Sequence, residues 1–460
     1  MQSEYRDTTL GAICSAQGGS IQTGPFGSQL HASDYSEHGT PVVMPADIQN
    51  GRVSTAAIAR VSAEHVERLS QHKLQLNDIV FSRRGDVTRY ARVTEREVGW
   101  LCGTGCLKVR VGSSSIVYPE WVAIALGQQE VKDWLVRHAV GATMPNLNTS
   151  ILGAVPLSVP SLATQAALVS FFNALDDRID VLRQTNATLE SIAQTLFKSW
   201  FIDFDPVRAK AEGREPEGMD AETAALFPDS FEDSALGEIP KGWSVIPFGE
   251  LLSFAIGGDW GGEGPTDTCT QQATIIRGTD IPDIAAGYFD GVPRRFVSPK
   301  KSEKRKLQDG DLVIEVSGGS KTQPTGRSLY VTKTVLAKLG AAVVPTSFCR
   351  LFRATDAHTA LLLSQHLIAI YQAGKMWNYQ VQSTGLANFQ TQHFLDSEVV
   401  VVPPPSVRKA FFDIVRPLID RMNTAPIAEL SALRDALLPR LISGKLRLPE
   451  AEAQLNEALA

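Results

Sequence analysis

The chain states one plan twice. Lys73-Leu74-Gln75-Leu76-Asn77-Asp78-Ile79-Val80 is answered by Lys306-Leu307-Gln308-Asp309-Gly310-Asp311-Leu312-Val313, an offset of 233. Asp47-Ile48 meets Asp280-Ile281 at the same offset, Asn146-Leu147 meets Asn388-Phe389 at 242, and Phe171-Phe172 meets Phe411-Phe412 at 240. Four matches in preserved order make one drifting period of about 240 residues. That is too long for a solenoid. It reads as tandem duplication of a whole domain with its connector, so any fold for these 460 residues must be built twice.

Each copy orders its elements alike. A Gly-rich opening (Thr23-Gly24-Pro25-Phe26-Gly27-Ser28; Gly257-Gly258-Asp259-Trp260-Gly261-Gly262) leads to short strand-like runs such as Asp78-Ile79-Val80-Phe81 and Asp311-Leu312-Val313-Ile314. A helix of about 20 residues is predicted next, over 119–138 and 357–377, with Pro119 suited to a first turn. A β-branched run closes each globular part at Pro160-Ser161 and Pro405-Ser406.

A long helical segment follows each Pro-Ser. Leu168, Phe172, Leu175, Ile179, Leu182, Asn186, Leu189, Ala193, Leu196 and Trp200 alternate at spacings of four and three, a heptad seam held for more than four heptads. The second segment gives Phe412, Val415, Ile419, Met422, Leu430, Leu433 and Leu437, with Pro417 and Pro426 expected to kink or break it. Two such seams in one chain pack most simply against each other as an antiparallel pair. The alternative is two ordinary core helices of the neighbouring domains. Asn186 either fixes register in the seam or is a tolerated polar residue near a bend. Between the copies, residues 203–238 hold eleven acids against three bases and read as a linker or crossing segment, with Phe227, Phe231 and Leu236 able to pin it to a surface. The expected class is α+β, with two similar α/β domains joined by an antiparallel coiled coil in a pseudo-twofold repeat. The expected divisions are 1–160, 161–204, 205–238, 239–405, 406–448 and an acidic tail, 449–460.

No catalytic constellation emerges. Ser317-Gly318-Gly319-Ser320-Lys321-Thr322 lacks the glycines of a P-loop. Phe254-Ala255-Ile256-Gly257-Gly258 faintly suggests a methyl-donor loop, but Pro403-Pro404-Pro405 is not the Asn/Asp-Pro-Pro-aromatic tetrapeptide such an enzyme needs. Cys102 and Cys106 are spaced like half a zinc site with no second pair nearby, so ordinary thiols are expected and no metal. The eight His are scattered, and no Gly-x-Ser-x-Gly elbow occurs. Asp311 and Glu315 lack the following Lys of a common nuclease core. Five dispersed cysteines fit a reducing compartment, no apolar run approaches the ~18 residues of a membrane span, and Met1-Gln2-Ser3-Glu4-Tyr5-Arg6 has no signal-peptide pattern. A cytoplasmic, non-catalytic chain is expected.

Basic clusters remain. Arg83, Arg84, Arg89, Arg92 and Arg96 fall within fourteen residues, and Arg294, Arg295, Lys300, Lys301, Lys304, Arg305 and Lys306 within thirteen, followed by Lys321, Gln323 and Arg327. Arg and Lys neutralise phosphates, and Arg and Gln also make bidentate contacts to base edges. A solvated loop is the bland reading of one such cluster. Two clusters at comparable places in two copies favour the functional one.

Ser199-Trp200-Phe201-Ile202-Asp203-Phe204-Asp205-Pro206-Val207, then Leu226-Phe227-Pro228, then Gly237-Glu238-Ile239-Pro240-Lys241-Gly242-Trp243 resembles the central region of type I restriction–modification specificity subunits. Leu438-Pro439-Arg440-Leu441-Ile442-Ser443-Gly444-Lys445-Leu446 resembles their C-terminal signature, and Thr23-Gly24-Pro25-Phe26-Gly27-Ser28 is also similar to a segment of that family. The resemblance spans nearly the whole chain. It implies a non-enzymatic subunit that reads double-stranded DNA, with two target recognition domains that each read half of a split sequence. It also implies a helical spacer that sets the gap and docks two modification subunits, which bring S-adenosylmethionine and methylate adenine N6. Restriction subunits would add ATP- and Mg-dependent translocation and cleavage; no cofactor falls to this chain. On this reading Leu168, Phe172, Leu175, Ile179, Leu182, Leu430, Leu433 and Leu437 hold the spacer, with Phe197 and Trp200 candidates for packing or docking. Arg83, Arg84, Arg89, Arg92, Arg294, Arg295, Lys321, Gln323 and Arg327 are candidate DNA contacts. The alternative is a two-domain coiled-coil adaptor that binds protein.

A formal charge of −6 argues at first against DNA. Residues 203–238 carry −8 of it and the tail −3, leaving +5 on the rest of the chain. The charge therefore suggests a weak DNA binder whose partner subunits supply much of the grip.

Overall fold

The computed structural model describes residues 5–49, 51–141, 143–320, 322–340, 342–383 and 386–459. The chain forms two compact units, Met1–Arg178 with Leu430–Ala460, and Ile179–Glu429.

In the first unit, Gly18–Thr23, Cys106–Gly112, Ile79–Ser82 and Tyr90–Arg92 form a four-stranded antiparallel sheet in that order. A smaller sheet runs Leu101–Cys102, Thr40–Val43, Arg60–Val61, Tyr35–Ser36, its first pair parallel. Arg6–Thr9 pairs with Pro156–Val159. The helix expected over 119–138 is two helices, Pro119–Leu126 and Gln129–His138. The break falls just after Gly127. Gly127 lies so close to Tyr90 that a Cβ would sit 2.7 Å from its hydroxyl, and Gln128 is extended. Trp121, Phe81, Leu107 and Val109 centre the core, joined by Leu168, Phe171 and Phe172 and by Leu437, Leu441, Ile442 and Leu446.

The second unit repeats this plan. Leu252–Gly257, Cys349–Ala354, Leu312–Glu315 and Ser328–Tyr330 form the same antiparallel order. Gln271–Ile276 lies between antiparallel Arg294–Val297 and parallel Val343–Pro345, and Ser244–Pro247 pairs with Val399–Val402. Backbone bonds give the equivalence residue by residue. Gly103 N–H donates to Val43 O as Thr346 donates to Ile276 O, and Cys106 faces Ser82 as Cys349 faces Glu315.

The repeated Lys-Leu-Gln…Asp motif now has a physical reason. Asp78 accepts from Gln75 N–H at 2.8 Å and takes both arms of the Arg110 guanidinium at 2.8 and 2.7 Å. Asp311 accepts from Gln308 N–H at 2.7 Å and takes Arg353 at 2.7 and 2.7 Å. Each Asp is buried, caps the turn entering its strand and clamps the neighbouring strand. Asp47 and Asp280 likewise accept from Met44 and Arg277 N–H groups to close matching 3₁₀ turns.

The central helix is Leu162–Phe201, 40 residues. Its early seam, Leu168 and Phe172, belongs to the first unit's core, where Arg434 also reaches Asp176 at 3.0 Å. Leu175, Ile179 and Leu182 are buried as the heptad spacing requires. In the second unit its later part runs antiparallel to Pro405–Thr424: Asn186 donates to Met422 O at 3.1 Å, and Phe197 and Phe201 pack on Phe411. Pro426 ends that partner helix and a second, Ile427–Ile442, follows, whereas Pro417 stays within its helix. Asn186 thus satisfies a carbonyl in the last turn before the break. Leu430 and Leu437 are buried and Leu433 half-buried.

Two segments are more structured than their composition suggests. Residues 205–238 are not a loose linker: they fold as helices Asp205–Ala211 and Ala221–Ala225 and a hairpin of Phe231–Ser234 with Gly237–Pro240. Phe227 is buried and Phe231 half-buried, while Leu236 is exposed. The acidic tail is helical, Leu448–Leu459, seated through Leu448, Ala451 and Leu455 on the first unit's core.

Candidate nucleic-acid interface

Strand register places most of the candidate contacts on one hairpin in each unit. Ser82 to Tyr90 in the first is equivalent to Glu315 to Ser328 in the second. The former carries Arg83, Arg84 and Arg89, the latter Gln323 and Arg327. Lys321 belongs to the same span and lies outside the described residues.

A third segment joins each hairpin. Asn146 bridges both Arg84 and Val140 in the first unit, and Asn388 pairs with both Ser317 and Val381 in the second. Around Arg83 and Arg84 stand Phe26, Val140 and Met144, 57%, 63% and 60% exposed. Arg83 donates to Asn146 Oδ1 at 3.3 Å and lies 5.9 Å from the Phe26 ring centre. Among the described residues nothing occupies the exposed Arg84 guanidinium. At the matching place in the second unit, Ser317 Oγ donates to Asn388 Oδ1 at 3.2 Å, with Val381 at 50% and Phe348 at 57% exposed nearby. Exposed apolar side chains interleaved with Arg or amide groups suit base edges and thymine methyls. Charge counting missed Asn146, Asn388, Val140, Val381, Met144 and Phe348. The repeated Asn146 and Asn388 were the available signal.

Other candidates are held by the fold. Arg327 gives both arms to buried Glu315, at 2.9 and 2.6 Å, so it braces the hairpin from within. Arg92 donates to Asn77 Oδ1 at 2.9 Å and Asn173 Oδ1 at 3.4 Å, tying the sheet to the central helix. Arg89 pairs with exposed Asp86 at 3.1 Å. Arg295 pairs with Glu263 at 2.8 Å and stacks 4.6 Å from the Trp260 ring, while Arg294 is exposed. Gln323 is exposed and donates to the Tyr371 hydroxyl at 3.4 Å.

Among the described residues no group of three His, Cys, Asp or Glu could hold a metal, and no helix is long and apolar enough to cross a membrane. Cys102 and Cys106 are buried thiols. Burial pushes Cys102 up to about 12 and Cys106 well above its usual range, and Cys106 Sγ–H donates to Val43 O at 3.3 Å.

One buried carboxylate gathers a network around Tyr379, just before the strand Gln380–Ser383. Glu398 takes His366 Nε2 at 2.8 Å, Lys375 Nζ at 2.7 Å and the Tyr379 hydroxyl at 2.5 Å. Burial alone would raise it, but the bonds from His366, Lys375 and Tyr379 win and lower it to about 2. A depressed carboxylate stabilises the fold above its unfolded value of 4.5 and loses that contribution as pH falls towards about 2. The network is expected to contribute about 3 kcal/mol at neutral pH. Urea denaturation of the second unit between pH 5 and 3 should show it falling, with the slope reduced in Glu398→Gln; equal slopes would refute the account.

Residues 5–191 match the family model described as Type I restriction modification DNA specificity domain. The chain is 25% identical over 345 residues to the Type I restriction enzyme MjaIX specificity subunit of Methanocaldococcus jannaschii, spanning 73% of this chain and 70% of that protein. It is 38% identical over 116 residues, 25% of each chain, to the HindI specificity subunit of Haemophilus influenzae. The crystal structure of the type I restriction–modification S subunit from M. genitalium has the same fold, with a TM-score of 0.53 at 12% identity over 95% of this chain and 96% of that one. Residues 5–191 of this chain are a type I restriction–modification DNA specificity domain. A specificity subunit is a recognition protein, not an enzyme.

The central and C-terminal motifs are structural. Trp200, Phe201, Phe204, Phe227 and Trp243 form one aromatic cluster, with Trp200–Phe227 centres 5.0 Å and Phe201–Trp243 centres 5.9 Å apart. Phe197 and Trp200 are buried within it, so they pack and offer no surface for docking. Leu441, Ile442 and Leu446 of the C-terminal motif are buried in the first unit.

Proposed function

We propose that this chain reads a bipartite DNA target, one half with each unit, and that its shared helices set the gap and dock two modification subunits. The carrying observation is one backbone frame built twice with different surface chemistry at matching points, Arg84 against Ser317. A common frame presents each hairpin to duplex in the same way, and divergent side chains let the halves prefer different bases. S-adenosylmethionine would be bound by the modification subunits and ATP and Mg by the restriction subunits. Adenine methylation would require them to flip the base while this chain holds the duplex in register.

Co-expression with the partner adenine methyltransferase, followed by sequencing that detects N6-methyladenine, should give a split motif with a constant gap. No methylation dependent on this chain would refute the proposal.

A further inference from the structure

We infer that Arg60 and Arg294 grip DNA phosphates at matching points of the two half-sites, a contact that is independent of sequence. The inference rests on the DNA-reading role proposed above.

The two arginines are equivalent by backbone bonding. Val42 N–H donates to Ala59 O, and Ile275 N–H donates to Pro293 O, the residues just before each arginine. Arg60 then faces Pro41, and Arg294 faces Thr274, across the same strand pair. The offset is 234, within the drift of the repeat.

What surrounds them has diverged. The next position is buried Val61 in one unit and Arg295 in the other. The following helix carries exposed Glu64, Glu67 and Arg68 in the first unit but exposed Lys300, Lys301, Glu303 and Lys304 in the second. The shared arginine is therefore not part of a generally basic surface kept in both copies.

Nor does the fold require it. The carboxylates repeated at matching points have clear internal work: Asp78 and Asp311 clamp Arg110 and Arg353, and Asp47 and Asp280 cap turns. Arg60 donates only to Gly39 O, at 3.0 Å, and Arg294 is exposed. Among the described residues, no ion pair holds either guanidinium. A cation kept in both copies without an internal counter-charge points to a ligand that both copies meet. The half-sites differ in their bases and have only the sugar–phosphate backbone in common. A guanidinium on an ordered strand suits a phosphate, which it can take with two parallel N–H bonds. Arg84, opposite Ser317, marks the complementary class, where the two halves differ and bases would be read.

The test uses the full chain in complex with its modification subunits, on duplex carrying its own methylated motif. Arg60→Ala and Arg294→Ala should each reduce the slope of log affinity against log salt by about one, and the double variant by about two. The N6-methyladenine motif should stay unchanged in all three, and Arg60→Lys and Arg294→Lys should restore the slope. If the unaltered chain directs no bipartite methylation, the DNA-reading role falls and this inference with it. If that motif is present, an unchanged salt slope, or a motif base made degenerate by either alanine, overturns the phosphate contact alone.

Discussion

Exchanging residues 1–155 for those of a relative is expected to replace one half of the methylated motif and leave the other half and the gap as they were. All the first unit's candidate reading elements lie inside that segment: Phe26, the Ser82 to Tyr90 hairpin and the Val140–Asn146 bridge. Their counterparts around Ser317, Phe348 and Asn388 lie wholly inside the second unit. The gap should hold because the central helix, Leu162–Phe201, is untouched. The exchange has one physical demand. The incoming domain must pack on Leu168, Phe171 and Phe172 and on Leu437, Leu441 and Leu446, which complete the first unit's core from outside the exchanged segment. A donor that keeps large apolar residues at the positions of Leu10, Trp121 and Leu126 meets it. Sequencing of N6-methyladenine reads the result, and a change in both halves would end the model of one unit per half-site.

The repeat and the helical seam were legible because each is a periodicity, and periodicity survives without coordinates. The seam residues from Leu168 to Leu182 are buried as their spacing demanded. Local breaks were less visible. Nothing in the apolar pattern of residues 119–138 announces that Gly127 must clear the Tyr90 hydroxyl. The acidic stretch 205–238 looked like a linker because net charge is blind to Phe227, which buries itself beside Trp200 and Trp243. Among the candidate contacts, charge density led to two hairpins that match in strand register but could not sort their arginines. Arg84 and Arg327 are the same residue type, yet one is exposed and the other is locked on buried Glu315. That distinction depends on a partner twelve residues away across a turn. Arg60 was missed for the opposite reason: it stands outside any cluster, and only strand register sets it opposite Arg294.

Removing either buried aspartate of the repeated clamp should loosen its own unit and spare the other. Asp78 and Asp311 are each 1% exposed and each hold an arginine in two-armed contact. Loss of the carboxylate leaves a partly buried guanidinium without its counter-charge and an N–H group at Gln75 or Gln308 without its acceptor. Breaking a pair of this kind costs about 3 kcal/mol, the low end of the range for buried pairs because Arg110 and Arg353 keep some contact with water. The cost is local because each sheet belongs to its own core: Phe81 and Val109 in the first unit, Leu312 and Phe352 in the second. Amide hydrogen exchange should therefore show Asp78→Ala losing protection in Ile79–Ser82 and Cys106–Gly112 while Leu312–Glu315 keeps its own. Asp311→Ala should do the reverse. The asparagine variants keep an oxygen for the capped N–H and should lose less. In the assembled complex, Asp78→Ala should weaken selection at one half-site and Asp311→Ala at the other. Equal loosening of both sheets by either variant would mean that the duplicated domains do not hold their reading surfaces independently.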